Sequence, residues 1–108
     1  MRIFHIATAA DWRGALATGE YTTSSRGVSL ADEGFIHASR ADQLAGVYAR
    51  YYADCDEPLV LLHVDTDRLR VPWREDPVGD DSYPHVYGPI HPEAVVDATP
   101  LDGPPAPP

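Results

Sequence analysis

The stretch Glu33-Gly34-Phe35-Ile36-His37-Ala38-Ser39 constrains this chain most. Gly34 loosens the backbone at the entrance to a short strand. Period-two alternation then sends Phe35 and His37 to one side, and Ile36 and Ala38 to the other. Ser39 is placed to open a helix, with Asp42 at capping-box spacing behind it. A histidine at a strand end, beside a helix start, faces the positive end of aligned backbone dipoles, where a small ligand can sit. The alternative at this point is a buried histidine whose ring nitrogens are satisfied by main chain.

The same strand-then-helix order occurs at the start of the chain. Arg2 to Ala7 alternates, with Ile3, His5 and Ala7 on one face and Phe4 and Ile6 on the other. Thr8 to Asp11 has capping spacing, so a helix is expected over about 9–18, stopped by Gly19. Trp12, Ala15 and Leu16 form its expected buried stripe. Glu20 to Leu30 is polar and reads as a loop carrying Arg26. A second helix is expected from Arg40 to about Ala53, burying Leu44, Val47, Tyr48 and Tyr51. Cys55 has no flanking base and reads as an inert thiol.

Leu59 to Asp65 is the most apolar run and should be a central strand. His63 lies near its far end. Val71 to Glu75 reads as a short strand that Pro72 assigns to an edge, and 76–81 as a solvated acidic turn. In Ser82 to Pro89, an extended backbone puts Tyr83, His85 and Tyr87 on one face. A polar aromatic surface for a flat ligand is one reading; an exposed edge strand is the other. Ala94 to Ala98 is the last expected strand.

The sequence has 108 residues, which suits one domain, expected over 1–101, with 102–108 as a disordered Pro-rich tail. A formal charge of −9 argues against duplex nucleic acid or anionic lipid as main partner. The lone cysteine and the absence of an apolar leader suggest a soluble, cytoplasmic protein, a monomer or weak homodimer. No two histidines have tight ligand spacing, so no metal is expected. On residues alone, the reading ends at a small α+β domain with a pocket lined by His5, His37 and His85.

The strand at Ile3 to Ile6, the motif Ser29-Leu30…Glu33-Gly34-Phe35-Ile36-His37-x-Ser39 and the motif Tyr83-Pro84-His85-Val86-Tyr87-Gly88-Pro89 resemble a small bacterial family known as a domain of unknown function. That family is thought to belong to the ADP-ribosyltransferase-like superfamily. The resemblance spans Ile3 to about Leu101. It implies a split antiparallel β-sheet with two main helices, and NAD or an ADP-ribose nucleotide as ligand. His5 would orient a ribose, His37 and Tyr87 would meet the nicotinamide end, and His85 would be the acid/base. Thr8, Ser29, Gly34, Phe35, Ser39, Arg40 and Tyr83 are the further expected ligand contacts, with Arg40 or Arg26 facing the pyrophosphate.

The chain departs from the pattern in three places. No Glu stands near His85, where the superfamily carries the acid that steadies the ribosyl cation. Ala38 replaces the Cys that members often have before the Ser. Residues Ser24 to Val28 are additional. A nucleotide-binding module without turnover and a three-histidine metal site are the rival readings.

Overall fold

The structure, a computed structural model, describes residues 1–105. In chain order the elements are β1 (Arg2–Thr8), α1 (Ala9–Thr18), β2 (Thr23–Ser25), β3 (Val28–Ser29), α2 (Leu30–Glu33), β4 (Ile36–His37), α3 (Leu44–Tyr51), β5 (Leu59–Asp65), β6 (Trp73–Val78), β7 (Asp81–Val86) and β8 (Val95–Leu101). Short 3₁₀ turns occupy Ala41–Gln43, Thr66–Arg68 and Pro92–Ala94.

The apolar run 59–64 does form a central strand. β5 pairs antiparallel with β1 on one side and β8 on the other, and Leu62 and Val64 have no exposed surface. A second antiparallel sheet has the order β4-β7-β6. The two sheets meet at a seam. Phe4 of β1 and Ser39, just beyond β4, exchange both backbone hydrogen bonds at 2.8 Å. Outside both sheets, the connecting segments at Tyr21 and Ile90 make a similar two-way bridge at 2.9 and 3.0 Å. The result is a small α+β domain with antiparallel sheets and few helices.

Alternation along β1 splits the core in two. Ile3 and Ala7 enter one apolar cluster with Leu62, Val64, Ile36 and Val86. Ile6 enters a second with Leu44, Tyr52 and Leu59, covered by α3. Helix α1 starts and stops where the spacing predicts. The Thr8 hydroxyl accepts from the Asp11 N–H at 3.1 Å, and Gly19, at φ 89°, donates back to the Ala15 carbonyl. Ala15 is buried and Trp12 packs on the core, but Leu16 is 56% exposed, because a helix against a sheet edge buries only a narrow stripe.

Several local expectations need correcting. The polar segment 20–30 is no loop: β2 and β3 form a hairpin about Arg26-Gly27, and Ser29 caps the short α2 by accepting from Asp32. Gly34, at φ 92°, ends α2 in the left-handed region. Ser39 does not cap a helix, because its backbone is spent on Phe4. The cap falls one residue later, where the Gln43 side chain accepts from the Arg40 N–H at 2.9 Å. The regular helix is therefore shorter, and the buried aromatic is Tyr52, not Tyr51. β6 runs through Asp76-Pro77 to Val78, so the expected acidic turn is mostly strand. β7 lies between two partners and is no edge. At its end, a Cβ on Gly88 would stand 2.6 Å from Val71, so only glycine fits there. The last strand runs from Val95 to Leu101. Of the expected tail, 106–108 lie outside the described residues. Among the described residues, no helix is long and apolar enough to cross a membrane.

Candidate functional site

Below α3, where the two sheets meet, lies a cleft of about 190 Å³. His5 and Ile6 of β1, the segment His37 to Ser39, and Tyr83 and His85 of β7 form its floor; Gly46, Val47, Arg50 and Tyr51 of α3 form its roof. All three histidines singled out from sequence thus border one hollow, but their chemical states differ.

His5 is only 4% exposed, and both its ring nitrogens are engaged. Nδ1 lies 2.5 Å from the His37 carbonyl, which can only accept, so Nδ1 carries the proton. Nε2 lies 2.9 Å from the Tyr21 hydroxyl and accepts from it. Burial pushes the His5 pKa down to about 4, so the ring is neutral at physiological pH. His5 is a positioning residue: it fixes the backbone of His37 from beneath. Ser24, fully buried on β2, does the same one alternation earlier by donating to the Phe35 carbonyl. An acid–base role for His5 does not fit a ring tethered at both ends.

His85 is equally buried but only half engaged. Its Nδ1 lies 2.8 Å from Asp76 Oδ2 and donates to it, since an ionised carboxylate only accepts. Its Nε2 is buried with no protein partner. The ring stacks on Phe35 at 4.0 Å and 22°, and stands edge-on to His37 at 5.1 Å and 88°. His37 is more open, and its Nε2 donates to Glu33 at 2.9 Å. Its backbone pairs with His85 across β4 and β7, and this register brings the two rings together.

Asp76 is the residue that sequence reading missed. The Tyr87 hydroxyl donates to the same Oδ2 that His85 uses, and the Arg74 guanidinium covers the Tyr87 ring at 4.3 Å. The hydrogen bond from Tyr87, then that from His85, holds the Asp76 carboxyl below the usual carboxylate range. Pro77 and Gly79 read as turn residues and hid it. The signal available was a two-strand ladder: Asp76 pairs with Tyr83, one step along the same face from His85.

The other expected contacts divide. Ser39 and Tyr83 line the cleft. Phe35 and Tyr87 do not; they form a wall of rings behind His85. The Thr8 and Ser29 hydroxyls are used as helix caps, and Gly34 as a helix stop. Arg40 donates to the carboxylates of Asp42, Glu75 and Asp81 and to the Ser82 carbonyl. Arg26 is held by Asp54 at 2.7 Å. Both arginines expected to face a pyrophosphate are therefore neutralised within the protein. His63 contacts Thr99 and Phe4, and His91 approaches Glu20, both apart from the cleft. Among the described residues no three His, Cys, Asp or Glu side chains converge as metal ligands would.

A family model described as "Protein of unknown function (DUF952)" matches residues 6–98. The chain belongs to this family. Solved structures similar to this DUF952 domain include the X-ray crystal structure of protein CC0527 from Caulobacter crescentus, a Northeast Structural Genomics Consortium target. It is 28% identical, with a TM-score of 0.82, over 94% of this chain and 87% of that one. The solution NMR structure of the same protein is similar at 29% identity and a TM-score of 0.72, over 94% and 84%. No curated protein matches.

Proposed function

We propose that the cleft binds the ring-bearing end of NAD or of another ADP-ribose-containing nucleotide, in the manner of an ADP-ribosyltransferase-like domain, and that His85 is its acid–base group. The observation that carries this reading is the state of His85. Asp76 fixes its tautomer and orientation through Nδ1, and Nε2 is buried without a partner on a ring that borders the cleft. An oriented imidazole nitrogen with no partner of its own can take a proton from an acceptor hydroxyl that reaches it or donate one to a leaving group. The element order, with a histidine on the opening strand and a second on the strand after α2, agrees with the superfamily resemblance.

The fit to NAD is partial. The volume falls below the range of about 300–1000 Å³ that whole drug-sized ligands occupy. It admits one ring and its near neighbours, so the remainder of a dinucleotide would lie outside. Bound NAD would supply the glycosidic bond to be broken. The chain's own residues hold the ring against His37 and Tyr83 and move the proton at His85 Nε2.

One observation favours a second reading, binding without glycosyl transfer. No acidic residue lines the cleft, so no fixed negative charge stands where positive charge would develop on the ribose.

Two measurements test both readings. NMR titration with NAD and with ADP-ribose should shift the His37 and His85 ring signals; silence at millimolar ligand removes the nucleotide reading. If nicotinamide is also released, Asp76→Asn should slow that release by about a hundredfold or more, because the imidazole loses the anion that orients it. NAD that binds yet survives long incubation intact establishes the non-catalytic form.

A further inference from the structure

All eight basic side chains of this acidic protein are arginines. Arg26, Arg40, Arg68, Arg70 and Arg74 are paired with carboxylates. Among the described residues Arg2, Arg13 and Arg50 pair with none, and of these three only Arg50 borders the cleft. The 17 acids make the contrast sharper, since not one of them lines that hollow. An acidic protein has thus kept one wall free of negative charge and placed an uncompensated guanidinium on it. Such an arrangement draws anions to that wall and repels few of them.

The surroundings of Arg50 define the shape of what it would hold. Gly46 lies one turn earlier on the same face of α3, and a Cβ built there meets no atom within 4 Å. The helix backbone is therefore open to close approach beside the guanidinium. Tyr51 and Val78 line the mouth of the cleft and are 50% and 46% exposed, two of the few large apolar side chains left open to solvent. Deeper in, the buried His85 Nε2 awaits a polar partner.

We propose that Arg50 is the anion anchor of the cleft: the ligand is a flat-ringed organic oxyanion, with its phosphate or carboxylate on Arg50 and its ring between Tyr51 and Val78 at the mouth and His85 at the floor. This deepens the nucleotide reading and rests on the same cleft. It moves the phosphate contact from Arg26 and Arg40 to Arg50. The planar fork of a guanidinium matches two oxygens of such a group at once.

The test compares phenol, phenyl phosphate and benzoate, followed by amide NMR of the residues lining the cleft, on the full chain. Phenyl phosphate should bind at least about tenfold more tightly than phenol, and the advantage should shrink as salt rises. Arg50→Gln should abolish that advantage while leaving phenol binding and the melting temperature unchanged, since Arg50 is exposed. Arg50→Lys, which keeps the charge and loses the fork, should fall between them. Benzoate separates the two oxyanions, and Arg50-dependent binding of either supports the anchor. Equal affinity for phenol and both anions, or anion binding indifferent to Arg50→Gln, overturns it. NAD is titrated in parallel. Arg50-dependent phenyl phosphate binding with no NAD binding removes the nucleotide reading and leaves the anchor. NAD binding that Arg50→Gln does not weaken removes the anchor and leaves the nucleotide reading.

Discussion

Three strand-borne histidines look alike in sequence, and burial gives them three different tasks. His5 is tied at both nitrogens, His85 at one, and His37 is half open to water. The alternation in Arg2 to Ala7 put His5 on one face with Ile3 and Ala7, and Ile6 on the opposite face is buried as well. Alternation could not say which nitrogens would be taken, because the partners, Tyr21 and the His37 carbonyl, are 16 and 32 residues away. His5 makes a pH prediction possible. Unfolded, its pKa is near 6.5; folded, it is about 4. Between those values the unfolded chain binds a proton that the folded chain refuses, so stability falls as pH drops through that window and is flat above it. The full loss is about 3 kcal/mol. Urea unfolding from pH 7.5 to 4 should show that loss as the difference between wild type and His5→Gln. A difference independent of pH would mean that the ring is protonated or solvated when folded.

At the scale of elements, sequence legibility followed the range of the signal. Helix α1 and strand β5 came out as expected because Thr8, Gly19 and the run 59–64 act locally. The hairpin of β2 and β3 was hidden because strands of three and two residues, Thr-Ser-Ser and Val-Ser, are too short to show an apolar period, and they are set by pairing, not by pattern. β6 was cut short because Pro77 resembles a turn; it is tolerated because β6 is the outer strand of its sheet. Asp76, the partner that orients His85, was lost with it. The roof helix α3 carries its own prediction at Gly46. A glycine in a helix forfeits about 0.5–1 kcal/mol relative to alanine. Since a Cβ meets nothing there, Gly46→Ala should raise stability by about that amount in urea unfolding. Gly46→Leu should leave the fold intact and fill the cleft, eliminating phenyl phosphate binding. Retained binding in Gly46→Leu would put the ligand elsewhere.

On the scale of the whole molecule, two antiparallel sheets share one short junction. The first is closed by seven-residue strands around β5, whereas the junction rests on the Phe4–Ser39 bridge. Native-state hydrogen exchange should therefore be faster at Phe4 and Ser39 than at Leu62 and Val64, and a cleft ligand should slow the first pair selectively. Uniform protection would show that the sheets open as one unit. The small α+β character was legible from the strands; the division into separate sheets and their meeting point were not, because Ser39 looked like a helix cap. The tether from Tyr21 through His5 to the His37 carbonyl has a final consequence. Because that buried ring is already bonded at both nitrogens, the bed beneath a guest molecule is cast in advance. Selectivity between guests of different thickness then falls to the opposite wall, the Val47, Arg50 and Tyr51 side chains of the overlying helix.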